Sequence, residues 1–281
     1  MVQTVTSSSD RVLPYTRGLS LFITPFLLVA FVVLYLFPGD TGRLFAWTIA
    51  PTMTPMMLAS AYLGGAYFFL RVLGERRWHA IRLGFPAVTL FAALLGIATV
   101  LHWDRFNHTH IAFWLWAGLY FTAPLLVLGA WLANRATATP PGAADLRIGA
   151  AARWVIVCGG LASLGQGLWM FLAPAQVIPL WPWALTPLTC RVLGAVFCLG
   201  AVGVGALTDS RWSTLRLMVQ VETVMLSLIL VAVVRAHTEL DPGRPLTWVL
   251  LVGMVLALGG SLALWVREER QARAGPAHLL R

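Results

Sequence analysis

The densest group of chemistry-capable residues is Leu101-His102-Trp103-Asp104-Arg105-Phe106-Asn107-His108-Thr109-His110, with three of the chain's six histidines and one carboxylate. Imidazole and carboxylate together suit zinc, copper, iron or nickel. His108 and His110 straddle a single residue, so both can turn toward one ion, with His102 and Asp104 approaching from the end of the preceding apolar run. His237, Glu239 and Asp241 form a similar polar stretch late in the chain. The cofactor this predicts is a transition-metal ion, or a haem whose axial ligands are His102 and either His110 or His237. A plainer reading competes with it and carries more weight: polar residues gather in short loops to cap helix ends. The spacing HxD…HxH matches no established metal motif.

A second set of candidates lies inside apolar runs. Arg191 and Glu222 each fall within a segment long enough to span a bilayer, where a lone charge costs at least about 2.5 kcal/mol. Counted inward at ~1.5 Å per residue, their levels differ by roughly 8 Å, which two long side chains can bridge. The pair is expected to form either a structural ion pair or the polar interior of a solute or ion path, with Gln220 and Gln166 nearby. Two of the apolar runs also carry prolines at corresponding places: Pro51 and Pro55 beside Thr52 and Thr54, then Pro182 and Pro187 beside Thr186 and Thr189. Proline frees backbone carbonyls, and proline-interrupted segments in two halves point to a transporter's substrate site. The competing reading is that these prolines only set the angle at which each helix begins.

A third set is a doubled motif, Arg77-Trp78 with Arg82 and Arg211-Trp212 with Arg216. Arginine and tryptophan at a membrane face suit lipid headgroups, so these six residues are read as interface anchors.

All of these residues depend on elements that composition identifies. Of the 281 residues 59% are hydrophobic and 11% charged, whereas a soluble domain carries about 25% charged residues. The apolar residues fall into eight runs near the ~20 residues needed to cross a ~30 Å hydrocarbon layer. They lie at about 19–37, 45–70, 84–101, 111–132, 152–172, 184–206, 215–234 and 246–266. The fold class expected is therefore an all-α integral membrane protein with eight transmembrane helices. The net charge of +9 comes from arginine alone, since the chain has no lysine. These charges sit in loops rather than in a basic domain, which argues against nucleic acid as a partner. Cys158, Cys190 and Cys198 lie in apolar runs and read as buried thiols. The first run lacks a small-residue cleavage site and is expected to be retained as a span.

Trp47-Thr48-Ile49-Ala50-Pro51 recurs as Trp183-Ala184-Leu185-Thr186-Pro187, 136 positions later. Pro38, Leu63 and Gly64 repeat at the same offset. Arg77, Trp78, Arg82, Thr89, Trp114 and Trp131 repeat at an offset of 134. Tryptophan's preference for interfaces explains its place at helix ends but not a shared spacing. The expected organisation is two tandem, parallel four-helix repeats: a tail over 1–18, repeat one over 19–133, a Pro/Gly-rich linker over 134–150, repeat two over 151–267 and a tail over 268–281. Fifteen arginines on the side bearing the termini against four on the other put both termini in the cytoplasm of a plasma-membrane protein. In the fifth span, Gly159, Ser163 and Gly167 form small-xxx-small steps for close helix packing.

No phosphate loop, GxSxG, HExxH or kinase motif is present, so the balance leans against an enzyme. The leading expectation is a small permease-like protein with a path between its repeats. The alternatives are a metal- or haem-binding redox protein or enzyme with an outer histidine cluster, and a non-catalytic membrane scaffold or assembly factor. The lipid bilayer is the obligatory partner. A homo-oligomer or a membrane partner protein is compatible with every reading.

Overall fold

The computed structural model describes residues 10–137 and 145–274. The centre of the linker and the outer ends of both tails lie outside the described residues. Among the described residues eight helices are long and apolar enough to cross a membrane: α1 Pro14–Leu36, α2 Met53–Gly74, α3 Gly84–Leu101, α4 Ile111–Arg135, α5 Ala150–Leu172, α6 Pro187–Leu207, α7 Trp212–Arg235 and α8 Pro245–Ala274. No strand occurs among the described residues, only two isolated backbone bridges. An even number of spans puts the start of α1 and the end of α8 on one side, here called the terminal face. The opposite side is the far face.

The helices begin where local chemistry allows. Pro14 and Pro187 occupy first-turn positions, where the missing N–H costs nothing. Thr186 and Thr189 form a reciprocal capping box at the start of α6. His110 Nδ1 accepts the Ala112 N–H at the start of α4. The first span starts at Pro14 rather than 19 because its polar stripe is satisfied internally. The Ser20 and Thr24 hydroxyls donate to carbonyls one turn back. Thr16 receives the Asn134 amide of α4, whose Oδ1 in turn accepts the Leu13 N–H.

The second span starts at Met53 rather than 45, and the sixth at Pro187 rather than 184. The doubled motif is therefore the segment before the helix. Its prolines precede or open α2 and α6 and do not interrupt them, as the plainer reading expected. The preceding chain dips into the far-face core instead. Trp47 is 3% exposed and packs against Phe45, Phe106 and Trp116, with ring centroids 4.9–5.2 Å apart. Trp183 is buried and its Nε1 donates to Thr54 Oγ1 at 2.8 Å.

Packing pairs α1 with α2 and α5 with α6, and α3 with α4 and α7 with α8. The two halves interlock crosswise: α2 lies against α7, and α3 against α6. Without a hydrophobic effect between helices in lipid, close approach relies on small residues. In α5 the face that meets α6 is Gly160, Ser163 and Gly167 rather than Gly159, which has open space beside it. The Ser163 hydroxyl also donates to the Phe197 carbonyl at 2.8 Å.

Several backbone contacts recur in the two halves. Trp78 N–H donates to the Asp10 carbonyl, and Trp212 N–H to that of Leu146. Asn107 N–H donates to the Ala46 carbonyl, and Asp241 N–H to that of Pro182. The Trp114 indole donates to the His108 carbonyl, and the Trp248 indole to that of Pro242.

Candidate functional site

The far-face histidines are occupied individually rather than gathered. His102 follows the end of α3, and its Nε2 accepts Arg191 Nη1 from α6 at 2.7 Å. A guanidinium on that nitrogen takes up the lone pair a metal would need, and its charge opposes a cation. Burial first, then Arg191, hold the His102 pKa below the usual imidazole value. His108 stacks on Trp103 and meets Phe113 edge-on, with ring centroids 5.1 and 4.6 Å away. His110 caps α4, and His237 donates to the Val234 carbonyl. Asp104 pairs with its exposed neighbour Arg105. Among the described residues no three His, Cys, Asp or Glu side chains come together in a way that could hold a metal ion.

Glu239 also has a structural task, and it crosses between the halves. Its carboxylate accepts the Thr52 N–H at 2.9 Å, the Thr52 hydroxyl at 2.6 Å and the Met53 N–H at 2.8 Å. A carboxylate at a helix N-terminus satisfies orphan N–H groups and complements the helix dipole. We expect Glu239→Ala to destabilise the protein by about 2 kcal/mol, the scale of charge-assisted hydrogen bonds. Thermal unfolding in detergent reads this as a drop of several degrees, with Glu239→Gln in between.

Arg191 and Glu222 do not pair. Arg191 sits in the second turn of α6, nearer the far face than the sequence implied, and turns to His102. Glu222 lies near the middle of α7 and is exposed on that helix. The candidate path residues Thr52, Thr54 and Thr189 are likewise engaged, with Glu239, Trp183 and Thr186. Arg235 completes the far-face seam. It donates to the Tyr35 carbonyl at 2.8 Å and lies 5.3 Å from the centre of the Tyr35 ring.

The terminal face differs. The doubled Arg-Trp motifs are not simple lipid anchors, since Trp78 and Trp212 are buried at 1% and 4% exposure. Arg82 and Arg211 converge on Asp209, which lies between α6 and α7. Arg82 Nη2 donates to it at 2.9 Å, and Arg211 donates to it through Nε and Nη2, the shortest bond being 2.7 Å. Thr214 adds a hydroxyl, and Asp145 lies 3.6 Å from Arg211. Arg77 is exposed, and the half-exposed Arg216 pairs with Glu269.

Beside this network a polar recess of about 90 Å³ opens between the halves. Arg71, Arg77 and His79 line it from the first half; Ser213, Arg216 and Gln220 line it from the second. The space admits several waters or a small anionic group. Gln220 is buried and accepts the Tyr67 hydroxyl at 3.0 Å. The His79 ring bridges the two halves, its Nδ1 on Asp10 Oδ2 and its Nε2 3.2 Å from Ser213 Oγ. Among the sequence candidates only Gln220, Arg77 and Arg216 reach this recess. Asp10, His79 and Ser213 were missed. The signal that could have found the last two is the 134-residue offset, which aligns His79 with Ser213. The chain matches no family model, no curated protein and no solved structure.

Proposed function

We propose that this is a small permease-like protein of the plasma membrane, made of two tandem, parallel four-helix repeats with both termini in the cytoplasm. Its solute path follows the seam between the repeats. The recurring backbone contacts support the repeat reading, because each pair is related by the same 136 and 134 offsets that the sequence repeats show. The reciprocal packing of α2 on α7 and of α3 on α6 supports it too. The excess of arginine on the terminal face supports the orientation.

The observation that carries the permease reading is the recess between the halves. It is open on the cytoplasmic side and bounded by residues of both repeats. At the far face, the Glu239 cap on α2, the Arg191–His102 contact and the buried Trp47 and Trp183 close the same seam. This is the arrangement expected of a carrier facing inward, with Gln220 and Tyr67 at the inner limit of the vestibule in place of an Arg191–Glu222 pair. Its arginines favour an anionic solute.

Access from each side tests the reading. In a background with Cys158, Cys190 and Cys198 replaced by serine, Gln220→Cys should react with a membrane-impermeant thiosulfonate from the cytoplasmic side only. Adding Arg191→Ala and Glu239→Gln loosens the far-face seam and should admit the reagent from both sides. If the loosened variant is folded and still reacts from one side only, no path runs along the seam.

A further inference from the structure

The three residues at the mouth of the recess stand in the relation of base, orienter and nucleophile. The Asp10 carboxylate holds His79 twice, through its Oδ2 on the ring Nδ1 and its Oδ1 on the His79 backbone N–H at 3.0 Å. A carboxylate can only accept at Nδ1, so the ring carries its proton there and presents the Nε2 lone pair to Ser213 Oγ at 3.2 Å. The ring is 7% exposed and cannot swing away, whereas Ser213 is open to the recess. Asp10 keeps φ at 37°, a left-handed value that residues other than glycine rarely adopt. Such strain persists only where the surroundings over-determine it, and here a backbone ladder from Asp10 and Val12 to Arg76 and Trp78 does so. Ser213 lies in the first turn of α7, a 24-residue helix whose N-terminal end favours negative charge. Arg71, Arg77 and Arg216 line the same space, with Glu75 the one acidic side chain among them.

We infer that Asp10, His79 and Ser213 form an acyl-transfer site, with Ser213 as nucleophile toward a carboxylic ester that carries an anionic group. Ser213 Oγ attacks the ester carbonyl carbon, and its proton passes to His79 Nε2. The tetrahedral oxyanion forms beside the arginines and the α7 terminus. It collapses with cleavage of the ester C–O bond, and the departing alkoxide takes the proton from His79. Water then attacks the acyl-serine carbonyl carbon and gives one proton to His79; the acyl C–Oγ bond breaks, Ser213 takes that proton from His79, and the carboxylic acid leaves and loses its remaining proton to solvent. His79 is the general base and acid, and Asp10 is a positioning residue. The inference goes beyond the permease reading and stands whether or not a solute crosses the seam. The anionic ester has two sources, a phospholipid of the inner leaflet or a soluble metabolite reaching the recess.

The test uses the full chain in detergent and in nanodiscs, with size-exclusion profile and helicity checked for each variant. A fluorophosphonate probe should label the protein on Ser213, and Ser213→Ala should abolish the label. His79→Gln and Asp10→Asn should slow labelling about 100-fold, the scale of general-base assistance. Asp10→Glu, which keeps a carboxylate, should recover part of that rate. A folded protein that does not label, or one in which His79→Gln labels at the unsubstituted rate, overturns the inference. Release of fatty acid from phosphatidylglycerol vesicles would assign the lipid source, and release from a soluble monoanionic nitrophenyl ester the metabolite. Cleavage of neither overturns the substrate class.

Discussion

Replacing Asp209 with alanine should remove about 3–5 kcal/mol of stability, which for most single domains leaves little folded protein. The reason lies in what remains. Arg211 is 3% exposed and loses the carboxylate it grips, leaving a buried guanidinium whose remaining carboxylate is Asp145 at 3.6 Å. Arg82 loses its partner across the halves at the same time. Asp209→Asn keeps the shape and one acceptor, so it should fall between the two. Chemical denaturation in a fixed detergent measures the series. The same group sets an acid limb. Burial alone would raise the Asp209 pKa, but the hydrogen bonds from Arg211 and Thr214 outweigh it and hold the value at about 2. A depressed carboxylate stabilises the fold fully above its ordinary value near 4. That contribution is lost as the pH falls from there through about 2. The unfolding temperature of the native chain should drop across that window, and that of Asp209→Asn should drop less.

The second large effect concerns Gly167. A Cβ placed there would sit 2.5 Å from the Gly194 carbonyl oxygen and 2.7 Å from the Cys198 nitrogen, both backbone atoms of α6. Backbone cannot rotate aside as a side chain can, so the helices themselves must separate. Gly167→Ala should cost about 1–3 kcal/mol, and Gly167→Val should prevent the α5–α6 pair from forming. Gly159, the residue just before Gly160 on the same helix, meets nothing within 4 Å, and its change to alanine should be neutral within about 0.5 kcal/mol. Yield and monodispersity of the detergent-solubilised variants distinguish the two positions directly.

The contrast between Gly159 and Gly167 shows how far the sequence could be read. Apolar run length located all eight spans, because burying backbone in hydrocarbon demands helix and length follows from bilayer thickness. Spacing alone could not tell which of two adjacent glycines faces α6. The starts of α2 and α6 were placed early for a related reason. Trp47 and Trp183 read as the openings of the second and sixth spans, yet both are swallowed by a far-face core that forms only when distant loops meet. The outer histidines were visible as a group, but each is spent on a local cap, a ring stack or a contact with Arg191. The recess was only partly legible: His79 and Ser213 each follow the doubled Arg-Trp motif, but Asp10 comes from a separate stretch, and only the fold brings the three together.

The crosswise packing of α2 on α7 and α3 on α6 has a consequence in time. About 160 residues separate the end of α2 from the end of its partner α7. At the 5–20 residues per second of protein synthesis, α2 waits roughly 8–30 s for its neighbour. During that wait the face bearing Gly64, which will receive Met225 and Val221 of α7, looks into lipid or onto an insertion factor. Helix α8, which packs chiefly on α7, waits for nothing, because its neighbour is already in place when it emerges. The order in which the spans are made is therefore not the order in which they lock. A pause in translation placed between α4 and α7 should expose the unfinished seam longest.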